Sequence, residues 1–198
     1  MELEILMNKT LGLGILALHV ILALALLFYI YHKTLRKTGK KLPFMVYNFK
    51  NFVSSNGLIF ALIISVIATL GSLIYSEIIG LPPCDLCWYQ RALLYPQVVI
   101  LAVALVKKNR DIFDYVIGLN IIGIIIAGYQ YVMQMINYSG PCPIGAGGVN
   151  CFTKDVFEFG YITLPLMSVS VFALLALLTY LYKRIKTTSE VSMHPATR

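Results

Sequence analysis

Histidine is scarce in this sequence, three residues in 198, and His19, His32 and His194 all lie away from its cysteines. A phosphate-binding glycine motif, a serine nucleophile motif, internal repeats and low-complexity tracts are all missing. Nucleotide enzymes, serine hydrolases and repeat scaffolds thus have no signature here, and the histidines read as packing or surface residues. Charge is sparse too: 13% of the residues are charged, against 59% that are hydrophobic. Ordinary soluble domains are about 45–50% apolar, so the composition excludes one and implies an integral membrane protein.

What is abundant is long apolar runs. Crossing the hydrocarbon takes about 20 mostly apolar residues, and runs at 11–31, 57–79, 89–106, 115–136 and 161–182 meet that need. The expected fold is all-α: a four-helix transmembrane bundle plus one extra N-terminal transmembrane helix. Residues 1–50 form that helix and a basic linker, 51–186 the four-helix unit and 187–198 a tail. The first run reads as a retained helix rather than a signal peptide, because Glu2 and Glu4 precede it and a basic segment, not a small-residue cleavage site, follows it. The third run is the weakest, with 15 uncharged residues between Arg91 and Lys107, or ~22 Å of helix. Arg91 is therefore expected at the interface, snorkelling toward water.

The net charge of +7 comes with a bias that argues against nucleic acid. Thirteen of the 16 basic residues, among them Lys33, Arg36, Lys37, Lys40, Lys41, Lys107, Lys108, Arg110, Lys183 and Arg184, fall on one side of an alternating five-helix topology. The positive-inside rule makes that side cytoplasmic, with membrane lipid as the contact it favours. The expectation is a multi-pass protein of the cell membrane, N-terminus outside, C-terminus in the cytoplasm and cysteine loops extracytoplasmic. Disulfides persist in that kind of compartment.

All four cysteines lie in those loops: Cys84 with Cys87, and Cys142 with Cys151. A Cys-x-x-Cys motif alone is shared by zinc sites, redox dithiols and haem attachment. Its surroundings sharpen it. Pro82 and Pro83 fit a helix entry, and Cys84, Cys87, Trp88 and Arg91 then share one helical face. Cys87 lies in the first turn near the positive end of the helix dipole, with Arg91 one turn below; both favour the thiolate and make Cys87 the candidate electron-donating sulfur. Trp88 and Tyr89 read as interfacial anchors. In the second loop, prolines flank Cys142 and glycines separate it from Cys151. Phe152, Val156 and Phe159 then suit either a short interfacial helix or a loop dipping back to the membrane. Asn120, Gln130, Gln134 and Gln97 are polar groups within spans that need internal partners; most read as packing hydrogen bonds, and one or two could face a bound head group. Ala61, Ser65, Thr69 and Ser72 form a small-residue stripe suited to close helix packing.

Cys84-Asp85-Leu86-Cys87-Trp88-Tyr89-Gln90-Arg91 resembles the Cys-x-Leu-Cys-x-Tyr-Gln/Glu-Arg signature of the DsbB family, including its BdbC-like branch. The resemblance covers roughly residues 57–182. It implies a quinone-dependent protein-disulfide oxidoreductase that reoxidises a soluble DsbA-like thioredoxin-fold partner and passes the electrons to ubiquinone or menaquinone. By position, it implies that Cys142 forms the mixed disulfide with the partner and that Cys151 is its pair. Cys84 resembles the sulfur of a transient interloop bond, Cys87 the one that meets the quinone, and Arg91 the arginine that supports both. The extra N-terminal helix and the eight residues between Cys142 and Cys151, a short loop, depart from the family pattern.

Redox energetics point the same way. A strongly oxidising disulfide donor lies near about −120 mV and a thioredoxin-like couple near about −270 mV, so reoxidation by the latter runs uphill by ~7 kcal/mol. A lipid-soluble oxidant removes that obstacle. Competing readings are purely structural loop disulfides, a four-thiolate zinc or iron–sulfur site, and a vitamin K epoxide reductase-like enzyme. In that last family the loop pair precedes the Cys-x-x-Cys motif, the reverse of the order here.

Overall fold

The computed structural model of the chain describes residues 2–36, 44–107, 112–140, 142 and 150–193. His194, Lys37, Lys40, Lys41, Lys108, Arg110 and the proline and glycine residues around Cys142 lie outside them. Five helices follow in order: α1 (Glu2–Arg36), α2 (Phe44–Leu73, extended by a π-helical turn at Ile74–Ile78), α3 (Asp85–Lys107), α4 (Ile112–Met135) and α5 (Leu164–Met193). Each contains a span long and apolar enough to cross a bilayer: Glu4–Leu24, Ser55–Ile78, Asp85–Lys107, Ile112–Met135 and Leu164–Ile185. The fold is the all-helical membrane architecture that composition implied.

The third span needs a correction. It begins at Asp85, so its 23 residues give ~34 Å of helix, enough to cross without help. Arg91 is 9% exposed, and its guanidinium turns inward to α2, donating from Nε to Ser72 Oγ and from Nη2 to the Ser72 carbonyl, both at 2.9 Å. It does not snorkel, because two acceptors inside the protein take two of its five donors and hold it inward.

α2 packs on α3, α3 on α4, α4 on α5, and α5 back on α2, closing a four-helix ring; α1 lies outside it, against α5. Ala61, Leu101, Ala104, Phe113, Val116, Phe172 and Leu175 fill the ring's core. The outer faces stay apolar, with Ile67, Val99, Ile125 and Leu177 exposed, as lipid contact requires. The small-residue stripe does bury Ala61 and Ser65 completely, and Ser65 bonds back to the Leu62 carbonyl. Gln97 and Asn120 likewise donate to carbonyls one turn earlier in their own helices.

The second loop settles into turns, not a short helix. Asn150 Oδ1 accepts the Phe152 N–H at 2.9 Å, and Glu158 and Ile162 pair in an isolated antiparallel bridge. Between them Phe159 and Gly160 take positive φ, 51° and 78°, which a helix does not allow. Phe152 and Val156 are buried while Phe159 is exposed, so the segment dips back onto the bundle.

α4 and α5 pack tightly at Gly123, where an added Cβ would lie 2.8 Å from the Phe172 ring. Gly123→Ala is expected to cost ~1–3 kcal/mol of stability by overpacking. Thermal unfolding in detergent checks this: Phe172→Leu should recover part of the loss, and a Gly123→Ala protein as stable as the parent would contradict the packing.

Candidate functional site

The sulfur site begins with how α2 ends. Ile79 N–H bonds to the Ile74 carbonyl and Leu81 N–H to the Tyr75 carbonyl, Gly80 has φ 82°, and Pro82 and Pro83 bring no N–H to prolong the helix. The chain re-enters the bundle at Cys84, the N-cap of α3. Its carbonyl accepts from Trp88 N–H at 3.1 Å and its Sγ from Cys87 N–H at 3.3 Å. A thiol thus takes the capping role usually given to Ser, Thr, Asp or Asn. Cys84 is buried and Cys87 half-buried, both as free thiols. The hydrogen bond with Cys87, then burial, pushes the Cys84 thiol far above the ordinary cysteine range. Cys84 therefore keeps its proton at neutral pH.

α4 ends beside this turn. Asn137, with φ 53°, closes a Schellman cap in which Tyr138 N–H reaches the Met133 carbonyl and Asn137 N–H the Gln134 carbonyl. The second loop is pinned there: Lys154 Nζ donates to Asn137 Oδ1 at 2.8 Å, and Phe152 packs edge-on to Tyr138 with ring centroids 5.2 Å apart. Cys142 and Cys151 are joined in a disulfide with Cα atoms 5.6 Å apart. Cys151 is buried and Cys142 half-buried.

One side-chain amide ties the two pairs together. Gln130 Nε2 donates to the Cys151 carbonyl at 2.8 Å and to Cys84 Sγ at 3.2 Å, with Cys87 Sγ 3.7 Å away. Gln130 Oε1 accepts from Gln90 Nε2 at 2.7 Å. Cys84 and Cys151 form one buried cluster with Leu86 and Phe152, and the half-buried Cys87 and Cys142 pack against it.

A cavity of about 340 Å³ opens from this cluster into the span. Cys84, Cys87, Ser72, Arg91, Gln130 and Gln134 make one end polar, while Ile64, Leu94, Val171 and Phe172 make the other apolar. Gln134 donates to the Thr153 carbonyl at 2.8 Å, but its Oε1 is buried with no partner among the described residues. Trp88 and Tyr89 are exposed on the outer surface, where the Trp88 ring also lies 5.3 Å from the Arg91 guanidinium carbon. Arg91 thus lines the same cavity as the predicted Cys84 and Cys87. In the sequence Ser72 read only as a packing residue and Gln90 only as part of the signature, whereas Gln130 was among the polar groups of which one or two were expected to face a bound head group. The signal for Gln130 and Gln134 was there, two amides one turn apart in an apolar span, but their neighbours are set by packing.

Gln130→Leu removes the donor that serves both pairs. Exchange between them is expected to slow by roughly tenfold, about one hydrogen bond's worth, and Cys84 alkylation should need still higher pH, since the lost bond favours the thiolate. Gln130→Glu, which brings an acceptor and negative charge, should be worse. Thiol-quench kinetics and the pH profile of Cys84 alkylation read this in protein of unchanged melting temperature; parental rate and profile would remove Gln130 from the site.

Comparison with known proteins places this geometry. The family profile described as "Disulfide bond formation protein DsbB" matches residues 54–182, which include all four cysteines and Arg91. The SPbeta prophage-derived disulfide bond formation protein B of Bacillus subtilis is 46% identical over 113 residues, 57% of this chain and 75% of that protein. Disulfide bond formation protein C of the same organism is 38% identical over 128 residues, 63% of this chain and 91% of that protein. A probable disulfide formation protein of Coxiella burnetii is 39% identical over 111 residues, 56% and 76% of the two chains. No solved structure matches the chain significantly. The chain belongs to the DsbB family of disulfide bond formation proteins, and it is a multi-pass membrane disulfide oxidoreductase.

Proposed function

We propose that this protein reoxidises a soluble, extracytoplasmic thioredoxin-fold dithiol protein of the DsbA type and delivers the electrons to a membrane quinone, ubiquinone or menaquinone. The observation that carries the reading is the clustering of both cysteine pairs around Gln130, above a cavity that runs from the thiols into the span. The orientation follows the basic bias of the sequence, with the cysteine-bearing end outside.

A partner thiolate attacks Cys142, the more exposed sulfur of the loop disulfide, forming a mixed disulfide and releasing Cys151. The partner's second thiol resolves that bond, so the partner leaves oxidised and the loop holds two thiols. When the first pair is itself a disulfide, Cys151 attacks Cys84 Sγ and releases Cys87. That direction is favoured because Cys84, whose proton is held tightly, is the poorer leaving group. Cys142 then displaces Cys84, restoring the loop disulfide and leaving Cys84 and Cys87 as a dithiol. Two electrons and two protons have moved from one pair to the other.

The cavity residues fit a quinone. Its volume of about 340 Å³ lies within the ~300–1,000 Å³ of small-molecule sites, Arg91 brings cationic donors to the thiol end, and Gln134 Oε1 is an acceptor with no partner among the described residues. Arg91 would donate to a carbonyl oxygen of the ring, and Gln134 Oε1 would accept from an O–H of its reduced form, with Cys87 beside it. A bound quinone supplies a sink for two electrons and two protons.

Full-length protein in lipid nanodiscs should oxidise a reduced thioredoxin-fold protein only when quinone is supplied. Cys142→Ser should abolish it, and Arg91→Ala should raise the apparent quinone KM roughly tenfold, the worth of a charge-assisted hydrogen bond. Oxidation independent of quinone, or undiminished in Cys142→Ser, would contradict the reading; no oxidation at all would favour structural disulfides.

A further inference from the structure

α1 lies wholly outside the residues that match the family, and the four-helix ring closes without it. Even so, it is fastened across the seam between α2 and α5. Asn8 Oδ1 accepts from Tyr75 Oη at 2.7 Å, on the α2 side. His19 reaches Ser170 Oγ at 2.8 Å on α5 and Tyr161 Oη at 3.3 Å. Gly12 packs so closely on the second loop that an added Cβ would lie 3.3 Å from Glu158 Cβ.

Between these attachments, Thr10, Leu11, Gly14 and Ile15 line the same cavity as Cys84 and Cys87. From Cys87 to Leu94 the cavity follows α3 for ~10 Å, from the polar sulfur end to the apolar end. Some of its lining is also exposed at the surface: Pro82, Asn150, Thr153 and Asp155 at the loop end, and Thr10 and Gly14 on α1 with Ile67 on α2 along the span. Residues that are at once lining and surface mark a mouth, so besides the polar opening at the loops there is one between α1 and α2, within the apolar spans. Two glycines widen it, since a Cβ added at Gly14 or at Gly71 meets nothing within 4 Å. At the sulfur end, the buried Gln134 Oε1 has no partner among the described residues, an independent sign of a ligand with a polar head.

We propose that α1 is the outer wall of a lateral portal, and that the hydrocarbon tail of the lipid-soluble acceptor leaves the bundle through the slot between Gly14 and Gly71. This rests on the quinone reading above and adds that the extra helix sets which tails are accepted. A polar head held at the sulfurs and an apolar tail passing out between α1 and α2 match the cavity's two ends.

The test is equilibrium binding of ubiquinones with short and long isoprenoid tails to full-length protein, measured as quinone retained after separation. Gly14→Phe should weaken the long-tailed ligand roughly tenfold or more, the cost of displacing a few buried methylenes, and leave the short-tailed one nearly unchanged. Ile67→Trp, plugging the slot from α2, should do the same if Gly14→Phe does not fold. Leu13→Phe, at a position 59% exposed and outside the cavity lining, should change neither. Equal weakening of both ligands, or of neither, would overturn the portal while leaving the quinone site standing, as it would if the slot holds only a lipid acyl chain. A parent protein that binds no quinone would overturn both.

Discussion

The amide of Gln130 is the contact on which the cysteine-bearing end depends. It is 2% exposed, oriented by Gln90 behind it, and it reaches a sulfur of one pair and the backbone of the other. A buried amide left without partners costs about 1–3 kcal/mol. Displacing the second loop would break the amide's bond to the Cys151 carbonyl while those to Cys84 and Gln90 remain, so the amide helps to hold the disulfide over the thiols. The Schellman cap at Asn137 and the packing of Phe152 on Tyr138 fix the loop's other attachments.

The membrane explains why the polar groups are arranged so sparingly. Most of those in the ring's core, such as Ser65, Asn120 and Thr179, bond to their own helix and add no specificity. Among the described residues, the buried polar contacts between elements of the ring gather instead near the sulfurs: Arg91 with Ser72, Gln90 with Gln130, Gln134 with Thr153, while the Lys183–Asp114 ion pair at the other end is exposed. In hydrocarbon such groups are costly unless partnered. Their concentration at one end of the bundle therefore marks the place where polar chemistry is done, and the cavity opens there.

The span count, the helical class and the family were legible because each rests on local pattern: apolar runs, the Cys-x-x-Cys motif, and the Leu, Tyr, Gln and Arg around it. Two details were not. Arg91 looked as if it must reach water because the uncharged stretch after it is short; the acceptor that turns it inward, Ser72, lies 19 residues earlier and on another helix. The segment after Cys151 had helical spacing at Phe152, Val156 and Phe159, yet the Asn150 turn and the positive φ of Phe159 and Gly160 break it. The role of Gln130 was hidden for the same reason, since its partners come from α3 and the second loop. Periodicity tells which face is apolar, whereas tertiary contact decides which polar residue meets which.

The central claim is that the two cysteine pairs exchange electrons directly, through Cys84 and Cys151. The most direct measurement uses the variant Cys87→Ala, Cys142→Ala, which keeps only those two sulfurs. Under mild oxidation the account predicts an intramolecular Cys84–Cys151 disulfide, identified by mass spectrometry of the digested protein. Both cysteines remaining as alkylatable thiols under the same conditions would contradict it.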